Sequence, residues 1–223
     1  MPGSTELAVE RLAEGGLVAF PTETVWGLAV RAESAPALER LRAWKGRRSD
    51  NPIALLVSGP GALEGLDFDV SEAARALMDE FWPGALTLVL PCRHQFPCGI
   101  ARRDGAVGVR CSSHEEAAEL VRGAEAAGAG PLTATSLNRS GDPPARTRDE
   151  AAVLCGEGAA DPLLLPGDLD AGGETPSTVI DLTGRCPSVL REGGLALEVS
   201  HWLEERGFAT FAGLAATTNG EDS

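Results

Sequence analysis

Lysine is nearly missing from this chain. Lys45 is the only one among nineteen basic residues, the others being arginine, so that position is singled out. Positive charge is short overall, and a formal net charge of -14 argues against a general nucleic-acid coat, because non-specific binding rests on releasing counterions from phosphates. Cysteine is sparse and odd in number. The five residues, at 92, 98, 111, 155 and 186, lack tight pairing and follow no signal peptide, which points to a reduced, cytoplasmic setting. Cys92, His94 and Cys98 lie close together, yet no second Cys or His pair completes a zinc pattern, so they read as loop residues and no protein-held metal is expected. No apolar run approaches the roughly 20 residues of a membrane span. A P-loop and a G-x-G-x-x-G motif are both absent, which excludes a Walker ATPase and a Rossmann dehydrogenase. Tyrosine does not occur and aromatic residues make up 4%, whereas 27 glycines and 15 prolines mark a loop-rich globular protein. No break in composition calls for a second domain.

The arginines that are present gather at 47 and 48, at 102, 103 and 110, and at 139, 146 and 148, while acidic residues dominate the expected helices. Focused positive potential inside an acidic shell suits a small polyanion. Period and capping signals predict helices over 5–14, from Ser34 through Trp44, over 71–81, 114–127 and near 199–206. Strands are expected at 17–20, 25–30, 53–57, 85–90, 106–110, 132–134, 178–182 and 188–191, with a loop over 135–148 and an unstructured tail from Ala209. Alternating elements of this kind predict an α/β fold with a twisted open mixed sheet and flanking helices.

Lys45 falls where the second helix ends, two residues before Arg47. That spacing suggests a pair of cations gripping a phosphate chain, the alternative being a solvated helix end closed by Gly46. Four loops set short polar side chains beside glycine or proline: 21–24, 135–141, 176–178 and 191–194. Singly each is an ordinary turn; together, with arginines at strand ends, they could line a ligand cleft. His114 reads as the start of a helix, His201 and Trp202 as packing residues, and Trp44 and Trp82 as cleft walls or core.

Seven segments then fall in a familiar order: GLVAFPTETVWGL at 16–28, KGR at 45–47, FWPGALT at 81–87, VGVR at 107–110, TSLNRSG at 135–141, PSTVID at 176–181 and LREG at 190–193. Together they resemble the YrdC-like family, whose members include threonylcarbamoyl-adenylate synthases. The resemblance covers about residues 5–195 and implies one YrdC-like domain over 1–208, with its sheet around a positively charged cavity. It implies a nucleotidyltransferase reaction in which L-threonine, bicarbonate and ATP give threonylcarbamoyl-AMP and pyrophosphate, a step towards tRNA threonylcarbamoyladenosine. Carried over by position, Lys45 and Arg47 would hold the triphosphate and serve catalysis, Arg191 would bind a phosphate, and Asn51, Ser136, Asn138 and Ser140 would line the ATP side. Thr24, Arg110 and Ser177 would hold threonine, with Mg2+ travelling on the triphosphate. Implied partners are a downstream threonylcarbamoyl transferase and a possible tRNA contact, with no membrane.

Four departures from the family pattern stand out. Trp26 replaces a more usual tyrosine or phenylalanine, Arg48 stands where proline is common, Leu137 replaces alanine, and Leu56 stands where longer members can carry a histidine. The resemblance is to the short form, without the extra C-terminal domain. Two other readings compete: a tRNA- or ribosome-associated RNA-binding module using the same cavity, and a paralogue making another carbamoyl-adenylate.

Overall fold

In the computed structural model, which describes residues 4–46, 51–156, 158, 160–165, 173, 175–208 and 211–212, helices begin and end where local chemistry directs. Helix α1 (Ser4–Ala13) leads into strands β1 (Val18–Phe20) and β2 (Gly27–Ala29). Ser34 caps α2 (Ala35–Lys45) by accepting from Ala37 N–H, and Gly46 closes it in the left-handed region at φ 65°. After β3 (Ala54–Leu56), Ser71 caps α3 (Glu72–Phe81) in the same way. Then come β4 (Leu86–Pro91), β5 (Ala106–Arg110), α4 (Glu115–Ala126) and β6 (Leu132–Ser136). His114 is the N-cap residue of α4, as the sequence suggests. Helix α5 (Arg148–Cys155) was not foreseen beyond the loop; its signal is a capping box in which Thr147 accepts from Glu150 N–H and the Glu150 carboxylate reaches back. The chain continues through β7 (Leu163–Leu164), β8 (Thr178–Asp181), β9 (Ser188–Arg191), α6 (Ala196–Glu205) and β10 (Phe211–Ala212). Phe211–Ala212 fall within the tail expected to lack structure and pair in parallel with Ser188 and Val189; the rest of 209–223 lies outside the described residues.

Among the described residues the strands form one mixed sheet in the order β10-β9-β8-β4-β5-β3-β6-β2-β1-β7. Side-chain alternation divides its two faces. On one face Leu55, Val107, Val109, Leu86, Leu88 and Ile180 join the core under α2, α3 and α6, through Leu38, Leu41, Met78, Phe81, Trp202 and Leu203. Trp44 and Trp82 belong to this core, and the Trp82 indole donates to Leu86 O at 2.9 Å. The opposite face is only half covered. At the β1–β2–β6 end, α1 and α4 lay Leu12, Leu120 and Val121 over Val18, Phe20, Ala29 and Leu132. Over β5, β4, β8 and β9 no such cover exists among the described residues, and there the sheet face becomes the floor of a cavity.

Candidate active site

The floor is written in the strand register. Leu56, Arg110, Thr87, Val179 and Arg191 form one row across β3, β5, β4, β8 and β9. The next row is mostly small or slim: Ala134 pairs with Ala54, and Gly108 with Val89. A Cβ added at Gly108 would stand 3.2 Å from Ala54 Cβ, so this row keeps the floor low. Above both rows lies a cavity of ≈ 430 Å³, walled by the loop of Thr22, Thr24 and Trp26, by Pro52 and Ile53, by Ser136, and by Pro176 and Ser177.

Arg191 reaches this floor through an irregularity. Ile180 pairs with Val189 but Val179 pairs with Arg191, so Leu190 is an extra residue in β9. Strict alternation would put Val189 and Arg191 on one face. Val189 packs on the core, and the bulge turns Arg191 to the cavity instead. There Arg191 Nε donates to Ser177 O and Nη2 to Ser177 Oγ, each at 2.9 Å. Gly193 permits this closeness, since a Cβ there would meet Pro176 O at 2.3 Å and Ser177 C at 2.4 Å.

Arg110, three strands away in the same row, is 9% exposed. Its Nη2 donates to Thr24 Oγ1 at 2.9 Å and pairs with Glu23 Oε1 at 3.1 Å, while Nε reaches Gly84 O at 3.4 Å. Glu23 is itself held by the Ser112 hydroxyl and, at 3.3 Å, by Ser113 N–H. Burial pushes the Glu23 carboxyl up, but Arg110 and the Ser112 hydrogen bond outweigh it, and the group titrates below its usual value. Burial, and then the charge of Arg110, disfavour the charged form of Arg191. No carboxylate pairs with Arg191 among the described residues, so the cavity holds a cation short of counter-charge. A guanidinium stays protonated regardless, and an anionic ligand lying between Arg110 and Arg191 would relieve their repulsion.

A third arginine, Arg102, lines the cavity but is already neutralised by Asp104 and, at 2.6 Å, by Asp181. Its hydrogen bond to Asp104 is the largest influence on the Arg102 charge, which it favours, and the same bond pulls Asp104 down to about 2. Arg102 thus ties the 99–105 loop to the end of β8 and leaves little charge for a ligand.

Lys45 stands behind the wall. It is 3% exposed, and its ammonium donates to Ser136 O, to Asn138 O at 3.1 Å and to Asn138 Oδ1 at 2.9 Å. Ser136 Oγ donates to the same Asn138 Oδ1 at 2.6 Å, and Ser140 N–H donates to Lys45 O at 2.7 Å. The lysine therefore fixes the turn 136–140 against the end of α2.

Of the residues expected from the sequence, the structure brings Thr24, Arg110, Ser136, Ser177 and Arg191 to one cavity. Lys45, Asn138 and Ser140 form the layer behind Ser136, and Asn51 is exposed beside the cavity-lining Pro52. Arg47 lies outside the described residues. Sequence reasoning missed Thr87, Glu23, Ser112 and the engaged state of Arg102. Leu56 and Trp26, noted as departures, both line the cavity, whereas Leu137 is buried in the core.

Known proteins share this arrangement of elements. The Sua5/YciO/YrdC family model, described as "Telomere recombination", matches residues 10–193. The chain is 40% identical over 193 residues to the threonylcarbamoyl-AMP synthase of Pyrococcus abyssi, covering 86% of this chain and 54% of that protein. It is 33% identical over 185 residues to the threonylcarbamoyl-AMP synthase of Chromobacterium violaceum, covering 82% and 91% respectively. Among solved structures, P. abyssi Sua5 complexed with L-threonine superposes with a TM-score of 0.81 at 36% identity, over 93% of this chain and 58% of that one. The chain belongs to the Sua5/YciO/YrdC family. It spans about half the length of the P. abyssi relative and most of the C. violaceum one.

Proposed function

We propose that this protein is an L-threonylcarbamoyladenylate synthase that joins L-threonine, bicarbonate and ATP. The observation that carries the reading is the row of Arg110, Thr87, Val179 and Arg191: two cations on one floor, three strands apart, with hydroxyls between them. The relatives' shared name and the threonine complex of P. abyssi Sua5 support the choice of substrates.

The reaction asks two anions to meet. Threonine and bicarbonate form a carbamate, and a carbamate oxygen attacks the α-phosphate, expelling pyrophosphate. Positioning and charge neutralisation are then the main catalytic tasks, and no covalent nucleophile is required. Arg110 holds the threonine carboxylate with Thr24 beside it, and Arg191, steadied by Ser177, holds a phosphate. Ser136 lines the nucleotide side, backed by Asn138 and Ser140; Arg47 and Asn51 act at the triphosphate end, which Lys45 serves by fixing the 136–140 turn. No cluster of three or more His, Cys, Asp or Glu among the described residues could hold a metal ion. Mg2+ would enter with ATP as part of the substrate and would offset the charge of the triphosphate.

The product would pass to a threonylcarbamoyl transferase that modifies tRNA, in the cytoplasm. No helix among the described residues is long and apolar enough to cross a membrane. The deciding experiment is pyrophosphate release from ATP with L-threonine and bicarbonate, omitting each in turn and weighing the nucleotide product. Release that needs both, with a threonylcarbamoyl-AMP mass, supports the reading. Release without threonine, or none despite ATP binding, overturns it.

A further inference from the structure

The two hydroxyls on the floor carry one proton more than their protein partners accept. Thr87 Oγ1 and Ser177 Oγ are 2.8 Å apart, so one hydroxyl donates to the other. Ser177 Oγ also accepts from Arg191 Nη2 at 2.9 Å. A hydroxyl has a single proton. Whichever of the two donates, the remaining proton has no protein acceptor among the described residues. Both side chains line the cavity, yet they are only 6% and 3% exposed. A buried donor in such a place calls for a ligand oxygen.

Its place in the row says which oxygen. Thr87 is directly opposite Arg110 on β5, and on its other side lies Val179, which pairs with Arg191. A group seated on Thr87 therefore lies between whatever Arg110 holds and whatever Arg191 holds. We propose that Thr87, together with Ser177, is the binding point for the one-carbon anion of the reaction, bicarbonate and then the carbamate formed from it. This assignment rests on the threonylcarbamoyl-adenylate reading above.

The chemistry explains why hydroxyls suit the position. The threonine nitrogen forms a bond to the bicarbonate carbon, a carbon–oxygen bond breaks, and the departing hydroxide leaves as water with a proton from the amine. The resulting carbamate oxygen bonds to the α-phosphorus as the bond to pyrophosphate breaks. A third cation between Arg110 and Arg191 would add repulsion and would hold the carbamate oxygen too firmly for attack. A neutral donor orients the carbon and leaves the oxygen nucleophilic.

The test compares wild type, Thr87→Val and Thr87→Ser by two readouts. The first is line broadening of 13C-bicarbonate by NMR with ATP and threonine present, which reads the subsite directly. The second is threonylcarbamoyl-AMP formation, with KM measured for each substrate. Valine keeps the branched shape favoured in a strand and removes the hydroxyl; serine keeps the hydroxyl. Thr87→Val is expected to weaken bicarbonate binding and raise its KM about tenfold or more, as for a lost hydrogen bond to an anion. Threonine and ATP KM stay within about threefold, and Thr87→Ser binds bicarbonate like wild type. Bicarbonate binding unchanged in Thr87→Val, or absent from wild type, overturns the assignment. So does a rise in threonine or ATP KM with bicarbonate unaffected. Bicarbonate binding that depends on Thr87, with no threonylcarbamoyl-AMP from wild type, would instead retain the anion site and remove the proposed reaction. Should Thr87→Val not fold, Thr87→Ser decides: a tenfold loss of bicarbonate binding there, despite its hydroxyl, overturns the assignment, and retained binding supports it.

Discussion

The floor and the rim of the cavity use their polar groups in opposite ways. On the floor, regular strands present Arg110, Thr87 and Arg191 in one row, and Arg191 has no carboxylate partner among the described residues. At the rim, the Lys45 ammonium already donates to Ser136 and Asn138, and Arg102 is bound to two aspartates. Cations that look equivalent in a sequence therefore divide into one held ready for a ligand, Arg191, and those that hold the protein's own loops in place, Lys45 and Arg102, while Arg110, paired to Glu23 and bonded to Thr24, does both. Residues of the first kind should affect binding with little change in stability. Those of the second kind should affect both.

Lys45→Ala is the strongest test of that division. Turnover is expected to fall ~100-fold or more. The loss of a buried donor to three acceptors among the described residues should also cost about 2–3 kcal/mol in a denaturant melt. A normal melt with lost turnover would move Lys45 to the ligand-binding group. Arg110→Ala comes next, with a threonine KM raised about 30-fold and ATP KM little changed. A variant defective for ATP instead would reverse the two ends of the floor. Gly193→Ala sharpens the contrast without touching a charge. Its Cβ displaces the 176–178 turn, so kcat/KM should drop about tenfold through Ser177 and Arg191, and an unchanged value would show that the turn tolerates the shift.

The smallest effect concerns pH. Glu23 and Asp181 titrate below their usual values, and Asp104 at about 2. Groups with depressed native values stabilise the fold above the ordinary carboxylate range, and this contribution disappears as pH falls through the native values. Melting temperature should therefore decline from about pH 5 towards pH 2. Glu23→Gln should remove about 1–2 kcal/mol at pH 7 and flatten that decline. Asp104 is largely exposed and should contribute little, because solvent screens it. A decline as steep in Glu23→Gln as in wild type would assign acid sensitivity elsewhere.

Much of this architecture is legible in the sequence. The apolar alternation of 86–90, the capping serines at 34 and 71 and the Gly46 stop lead directly to β4, α2 and α3. Arg110 is visible as a charge at the end of an apolar strand. Arg191 is not legible in the same way, because a period-two reading of 188–191 puts it with Val189 and only the bulge at Leu190 separates them. Thr87 passes for an ordinary strand residue, since its meaning comes from Arg110 and Ser177, which are distant in sequence and meet it only through sheet pairing. The standing of Lys45 as the only lysine marks it as special, but nothing local says that its donors turn towards residues 136 and 138.

The strand order has a consequence for how the protein is made. β4 receives β5 on one side through a nearby connection and β8 on the other only after a long excursion of the chain. A nascent chain that has emerged as far as α4 already displays Arg110, but facing an open sheet edge, with no opposing arginine and no enclosed space. The cavity floor is complete only once β8 and β9 have added to β4. A ligand bridging Arg110 and Arg191 would then act as a clasp on those late strands, slowing their amide exchange and protecting them from proteases more than the rest of the sheet.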